Sequence, residues 1–243
     1  MNFSEPPALR AVPIPVRLSI WLHEARRAGL AALVAPPAAL LLAAVLAGLV
    51  RVSGGSRGQV EYLLLVGLEA IAPLAVAMVA LTVVTREGCR ELHLSLPVPH
   101  LVTIGRRLGV VAVVTAVLCT AYAAVVALTG YQTGPGGAAA LLVWAAPAVW
   151  LTGFAALVAA VTRSPVLAST AVGMVWLAEE IWTSAFVGNG LLRPMFLFFT
   201  SRTGDGPGWA GNRVGLLSGG VLMLAATAAV LTRPERLLTE EEA

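Results

Sequence analysis

Charge is scarce in this 243-residue chain, at 12% of residues, and lysine is absent: all sixteen basic residues are arginine. A soluble domain carries about a quarter of its residues charged. So few charges cannot coat a globular surface of this size, whereas a lipid-facing exterior needs none. The absence of lysine also excludes a phosphate-binding Gly-x-x-x-x-Gly-Lys-Ser/Thr loop. No Gly-x-Ser-x-Gly elbow, Cys-x-x-Cys or His-Glu-x-x-His is present. The three histidines, His23, His93 and His100, lack ligand spacing, so no metal site is expected. Cys89 lies in a polar stretch and Cys119 in an apolar one. Two such cysteines give no disulfide framework. No catalytic residue is assigned, and the chain is expected not to be an enzyme. Any energy its work requires must come from another chain.

Hydrophobic residues make up 58% of the sequence, with mean hydropathy +0.85. They form long charge-free runs. Each run of about twenty residues can cross a hydrocarbon core of about 30 Å as a helix. Six spans are predicted, near 28–50, 60–84, 108–129, 138–161, 165–187 and 214–232. Pro36-Pro37 predict a kink in the first, and Pro73 a bend in the second. The first apolar run is too long for a cleaved signal peptide. The charge-free stretch from Leu108 to Thr162 is too long for one span, and the turn chemistry of Gly130–Gly137 divides it. The expected class is therefore an all-α polytopic membrane protein. Its parts are an N-terminal segment 1–27, a transmembrane domain 28–232 and a polar tail 233–243.

Arginine placement sets the expected orientation. Six spans put both termini on one side, with the loop 85–107. That side holds eleven arginines, and the other holds five: Arg51, Arg57, Arg193, Arg202 and Arg213. The termini are expected to be cytoplasmic. Ahead of the first span, Leu18, Trp21, Leu22 and Ala25 recur at helical spacing, opposite Glu24, Arg26 and Arg27. This pattern predicts an amphipathic helix lying in the membrane interface.

The loop after the second span is the most specific feature. It reads Thr85-Arg86-Glu87-Gly88-Cys89-Arg90-Glu91-Leu92-His93-Leu94-Ser95-Leu96-Pro97-Val98. Physically it is a short charged helix ended by Pro97, with Glu87 and Arg90 on one face and Leu92, Leu94 and Leu96 giving an apolar side. Such an element can dock into a groove on a cytoplasmic partner. The stretch resembles the first cytoplasmic loop of ABC type-2 transporter permeases, where Arg86, Glu87, Gly88, Glu91, Leu92, Ser95, Leu96, Pro97 and Val98 match. His93 departs from that pattern by replacing an apolar residue.

The resemblance implies a permease subunit of an ATP-driven exporter in a bacterial cytoplasmic membrane. Family members pair with a second permease chain, identical or homologous, and bind a separate ABC ATPase dimer. ATP and Mg would belong to that partner, and this chain would need no cofactor. Arg86, Glu87, Arg90 and Glu91 would contact the ATPase, with Leu92 and Leu96 packing. Residues 188–212 resemble the external re-entrant segment that family members place before the last span. Membrane lipid is the remaining expected partner, and nucleic acid is not one.

Three further carboxylates stand out. Glu69 is the deep charge of the second span, where an ionised side chain needs a partner or a wet cavity. It reads equally as a substrate contact or an interhelical hydrogen bond. Glu179 and Glu180 close the fifth span. All three are candidates for lining a substrate pathway. Gly215 and Gly219 form a small-x-x-x-small pair that permits close helix approach, within one bundle or between two chains. The rival readings are a secondary transporter, which would use charges near the midplane, and a non-transporting membrane scaffold or assembly factor.

Overall fold

The structure is a computed structural model. It describes residues 30–85, 100–132 and 134–232. The predicted interfacial helix (Trp21, Glu24, Arg26, Arg27), the predicted coupling residues (Arg86, Glu87, Arg90, Glu91, Leu92, Leu96) and the tail lie outside the described residues.

The described residues form helices and no strand. Helix α1 is Leu30–Val52, α2 is Arg57–Thr85, α3 is His100–Leu128 and α4 is Ala139–Thr162. Then come α5 (Pro165–Ile181), the short α6 (Thr183–Gly188), a 3-10 turn Arg193–Met195, the short α7 (Phe199–Thr203) and α8 (Trp209–Leu231). Five of them, α1, α2, α3, α4 and α8, are long and apolar enough to cross a membrane. Their outward faces are apolar too. Leu41, Leu42 and Leu49 of α1, Val113 and Val117 of α3, and Val221 and Leu222 of α8 are all exposed. A helix set that is apolar outside as well as inside belongs in lipid. The chain is a helical membrane protein.

The helix ends follow from local chemistry. Helix α2 starts at Arg57, three residues before the predicted boundary, because Ser56 and Gln59 close a reciprocal capping box. That start brings Arg57 into the helix, paired with Glu61 at 3.0 Å. The bend expected near Pro73 is prepared by a π turn at Gly67–Ile71. Pro73 has no N–H to give the Glu69 carbonyl, and the π register falls beside that gap. The kink expected at Pro36-Pro37 does not break α1, which is helical through both. Helix α4 stops at Arg163, the only non-glycine of positive φ among the described residues (φ 54°). Ser164 then caps α5, with Pro165 in its first turn.

Two predicted spans need correction. The fifth, 165–187, is divided at Trp182, whose φ of −100° and ψ of 33° leave the helix, so α5 has 17 residues. The sixth begins at Trp209 and not at 214. Hydropathy excluded Arg213 from the span, yet Arg213 is fully buried inside α8.

Helix α4 is central and packs on α2, α5 and α8. Its crossing with α8 is backbone on backbone. A Cβ at Gly153 would lie 2.5 Å from the Gly220 carbonyl oxygen, and one at Gly220 would lie 2.7 Å from the Val149 carbonyl. Gly215 and Gly219 face Pro194 and Trp150 of the same chain, so this small-residue face packs within the bundle. Gly220→Val is expected to push α8 off α4. It should cost about 1–3 kcal/mol or more and lower the unfolding temperature in detergent, whereas Gly211→Val, in open space, should leave it unchanged.

The helices alternate in direction. The turn 53–56, the connection 129–138 and the segment 182–208 therefore gather at one end, here the loop end. Arg57 donates to the Gly130 carbonyl there, and Arg202 lies over the Tyr62 ring at 5.5 Å. Leu30, Thr85, His100 and Thr232 lie at the opposite end.

Candidate functional site: a carboxylate clasp on a re-entrant segment

Between α6 and α8 the chain turns back into the bundle. Phe196, Leu197, Phe198 and Phe199 are all at most 1% exposed. Phe198 meets Trp176 edge-on at 5.5 Å, and Phe196 stacks on Phe186 at 5.8 Å. Four adjacent large apolar residues bury well, but their irregular backbone does not. Turn and helix bonds satisfy part of it, with the Phe196 N–H on the Arg193 carbonyl and the Phe198 carbonyl taking the Arg202 N–H. The other groups need partners from elsewhere, and each unsatisfied group in an apolar interior costs several kcal/mol.

Side chains from three helices supply the missing partners. Glu179 of α5 accepts the Leu197 N–H at 2.7 Å. Glu69 of α2 accepts the Thr200 N–H on one oxygen and the Ser201 N–H on the other, both at 2.6 Å. These are amides of the first turn of α7, so Glu69 caps that helix from a distant span. Asn212 of α8 donates to the carbonyls of Arg193 and Phe196, both at 2.8 Å. Trp209 Nε1 donates to Thr200 Oγ1 at 3.0 Å.

Charge is balanced at the same place. Arg213 pairs with Glu69 and also donates to Thr200 Oγ1, and both charged side chains are fully buried. The Arg213 guanidinium lies 5.6 Å from the centre of the Trp209 ring. An ionised side chain near a bilayer centre costs roughly 2.5–3.5 kcal/mol on insertion scales. Here each ion has an opposite charge and further hydrogen bonds, which offset part of that cost, while Nε and Nη1 of Arg213 are buried without a hydrogen-bond partner among the described residues. The π turn contributes by carrying Glu69 on a register that an unbroken α-helix would not give. Glu180, at the rim, pairs with Arg202.

The three carboxylates singled out from the sequence thus meet on one element. Glu69 and Glu179 grip the backbone of the re-entrant segment, and Glu180 holds its arginine. The sequence reading missed Asn212, Arg213, Trp209 and Thr200. A signal for three of them exists. Trp209, Asn212, Arg213, Leu216 and Gly220 are buried on α8 at helical spacing, a stripe that runs through the charge. The assembly offers buried charge pairing and backbone capping around an apolar plug.

No family model, no curated protein and no solved structure matches this chain.

Proposed function

We propose that the chain is the membrane-spanning subunit of an ATP-driven ABC exporter, coupled to a separate ATPase. The observation that carries this reading is the sequence Arg86–Val98, placed where α2 leaves the membrane. The architecture supports it. That stretch joins α2 to α3 at the end opposite the re-entrant segment, so a motor docked there would act through helices whose far ends carry the plug. Helices α5 and α6 together cover Pro165–Gly188 and make the fifth of six spans, interrupted at Trp182. With six spans, both ends of the bundle domain fall on the motif's side. The arginine excess puts that side in the cytoplasm of a bacterial inner membrane. In this reading two permease chains flank the pathway. Opening the Glu69 and Glu179 contacts would release the plug outward.

The test is purification of the tagged full chain in mild detergent, with identification of co-purifying proteins and an ATP hydrolysis assay. The expected result is a stoichiometric ATPase carrying a Gly-x-x-x-x-Gly-Lys-Ser/Thr loop, with Mg-dependent turnover. An ATPase-free protein that moves solute down an ion gradient would establish the secondary-transporter reading instead. An ATPase-free protein without transport would establish a scaffold.

A further inference from the structure

Two cavities open on the seam between α3 and α4, one on either side of Trp144, which is buried in one cluster with Cys119 of α3. Helix α3 leans on α1 and α2 more than on α4, so packing leaves room on both sides of that cluster. The inner cavity is about 290 Å³, among Val76, Val111, Thr115, Ala148, Thr152 and Leu224. Thr115 already gives its hydroxyl to the Val111 carbonyl at 2.8 Å. Nearer the loop end lies a second cavity of about 570 Å³, bounded by Ala123, Ala127, Gln132, Leu141 and Asp205. One residue, Trp144, lines both. It is 9% exposed, and its indole N–H is buried without a partner. From Leu108 to Ala127 the seam follows α3 for twenty residues, about 28 Å at helical rise. That matches the thickness of the hydrocarbon core, about 30 Å.

Polarity changes along the seam. The inner cavity is apolar, and a dry apolar cavity of about 150 Å³ already suffices to bind benzene. At the loop end, Tyr131 lines both the outer cavity and an adjoining bay of about 420 Å³ that carries Arg51 and Arg57. Both guanidinium groups lie over the Tyr131 ring, at 5.8 and 5.6 Å, and Arg51 also donates to its hydroxyl. Glu61 pairs with Arg57. Asp205 lines the outer cavity with Tyr131 and makes no ion pair among the described residues. The outer cavity therefore has an acidic residue in its wall and a cationic bay adjoining it.

We infer that the α3–α4 seam binds a zwitterionic long-chain amphiphile. One alkyl chain lies past Trp144 in the inner cavity, an anionic phosphate faces Arg51 and Arg57, and an ammonium faces Asp205. Trp144 divides tail from head and has one N–H to give. This is a statement about equilibrium binding to this chain alone. It holds or fails independently of any ATPase partner.

The test uses the purified full chain in a neutral sugar detergent. A phosphocholine with a photoactivatable alkyl tail is cross-linked, and the labelled peptides are identified. Three competitors share a twelve-carbon tail and differ in head: phosphocholine, trimethylammonium and sulfate. Labels are expected on 108–115 and 144–152, with phosphocholine the best competitor by roughly threefold, as a few tenths to one kcal/mol per exposed charge implies. Asp205→Asn should weaken phosphocholine and trimethylammonium but not sulfate. Arg51→Gln should weaken phosphocholine and sulfate but not trimethylammonium. Ala148→Phe, which fills the slot, should cut seam labelling about tenfold. Trp144→Phe keeps an aromatic ring and should weaken binding by about threefold through the lost hydrogen bond. Label spread evenly over the lipid-facing side of α1, indifferent to Ala148→Phe and Trp144→Phe, would overturn the site. Seam labelling with equal competition by the three heads would overturn the headgroup assignment.

Discussion

Glu69→Ala is expected to destabilise the folded bundle by about 3–5 kcal/mol, the range for removing one partner of a buried ion pair. For a chain of this size that corresponds to a drop of roughly 10 °C in unfolding temperature. The loss has two parts. Arg213 is left fully buried, with Thr200 Oγ1 as its remaining partner among the clasp residues. The Thr200 and Ser201 amides lose the acceptor that caps α7. Arg213→Met should be milder, because Glu69 keeps both amide donors. The double variant should be less destabilised than the sum of the two singles, because it leaves no unpaired buried charge. Thermal unfolding of the four proteins in one detergent gives that ranking. Limited proteolysis adds a local readout, since cleavage within 189–208 should rise in Glu69→Ala before the bundle as a whole unfolds. If Glu69→Ala melts with the lipid-face control Leu42→Ala, the carboxylate does not hold the segment.

The membrane character and most helices were legible because charge-free runs of about twenty residues are hard to reconcile with any other solvent. The break between α4 and α5 was legible too, since Ser164-Pro165 is a start signal that needs no tertiary context. What stayed hidden depends on contacts across the bundle. Glu69 was recognisable as a charge needing a partner, but nothing local points to a residue 144 positions away. Hydropathy worked against finding it, because a boundary drawn to exclude Arg213 moves that partner outside the membrane. The buried stripe on α8 carries the opposite message, and it becomes decisive only beside an unpaired Glu69. Trp182 divides the fifth span without glycine or proline, at a point where Thr183 bonds back to the carbonyls of Glu179 and Glu180. The small-residue pair at Gly215 and Gly219 pointed to the right face of α8. The closest approach, however, is Gly153 against Gly220, which a search along one helix does not reveal.

Reversing Glu87 and Glu91 to Arg together is expected to abolish coupled transport while leaving the bundle folded. Both lie in the loop whose sequence resembles the ATPase-contacting loop of ABC type-2 permeases, and both are among its charged positions, with Arg86 and Arg90. An interface built on alternating charge discriminates mainly through repulsion, and like charges brought together cost several kcal/mol. Two reversals should therefore weaken ATPase binding by about a hundredfold or more, since each 1.4 kcal/mol is a factor of ten. The variant should keep the unfolding temperature of the parent, because surface charges that serve a docking partner contribute little to the stability of the fold itself. It should co-purify without the ATPase, or with an ATPase whose turnover no longer responds to substrate. Leu92→Ala with Leu96→Ala tests the apolar side of the same element. It should raise the dissociation rate with little change in salt dependence, whereas the charge reversal should respond strongly to ionic strength. The two variants thus separate a docked amphipathic helix from a charge run that merely stands in water. If transport and ATPase recovery survive both, the loop is a solvated connector and the exporter assignment falls with it. The Glu69 clasp would still stand, because it is defined by contacts within the bundle.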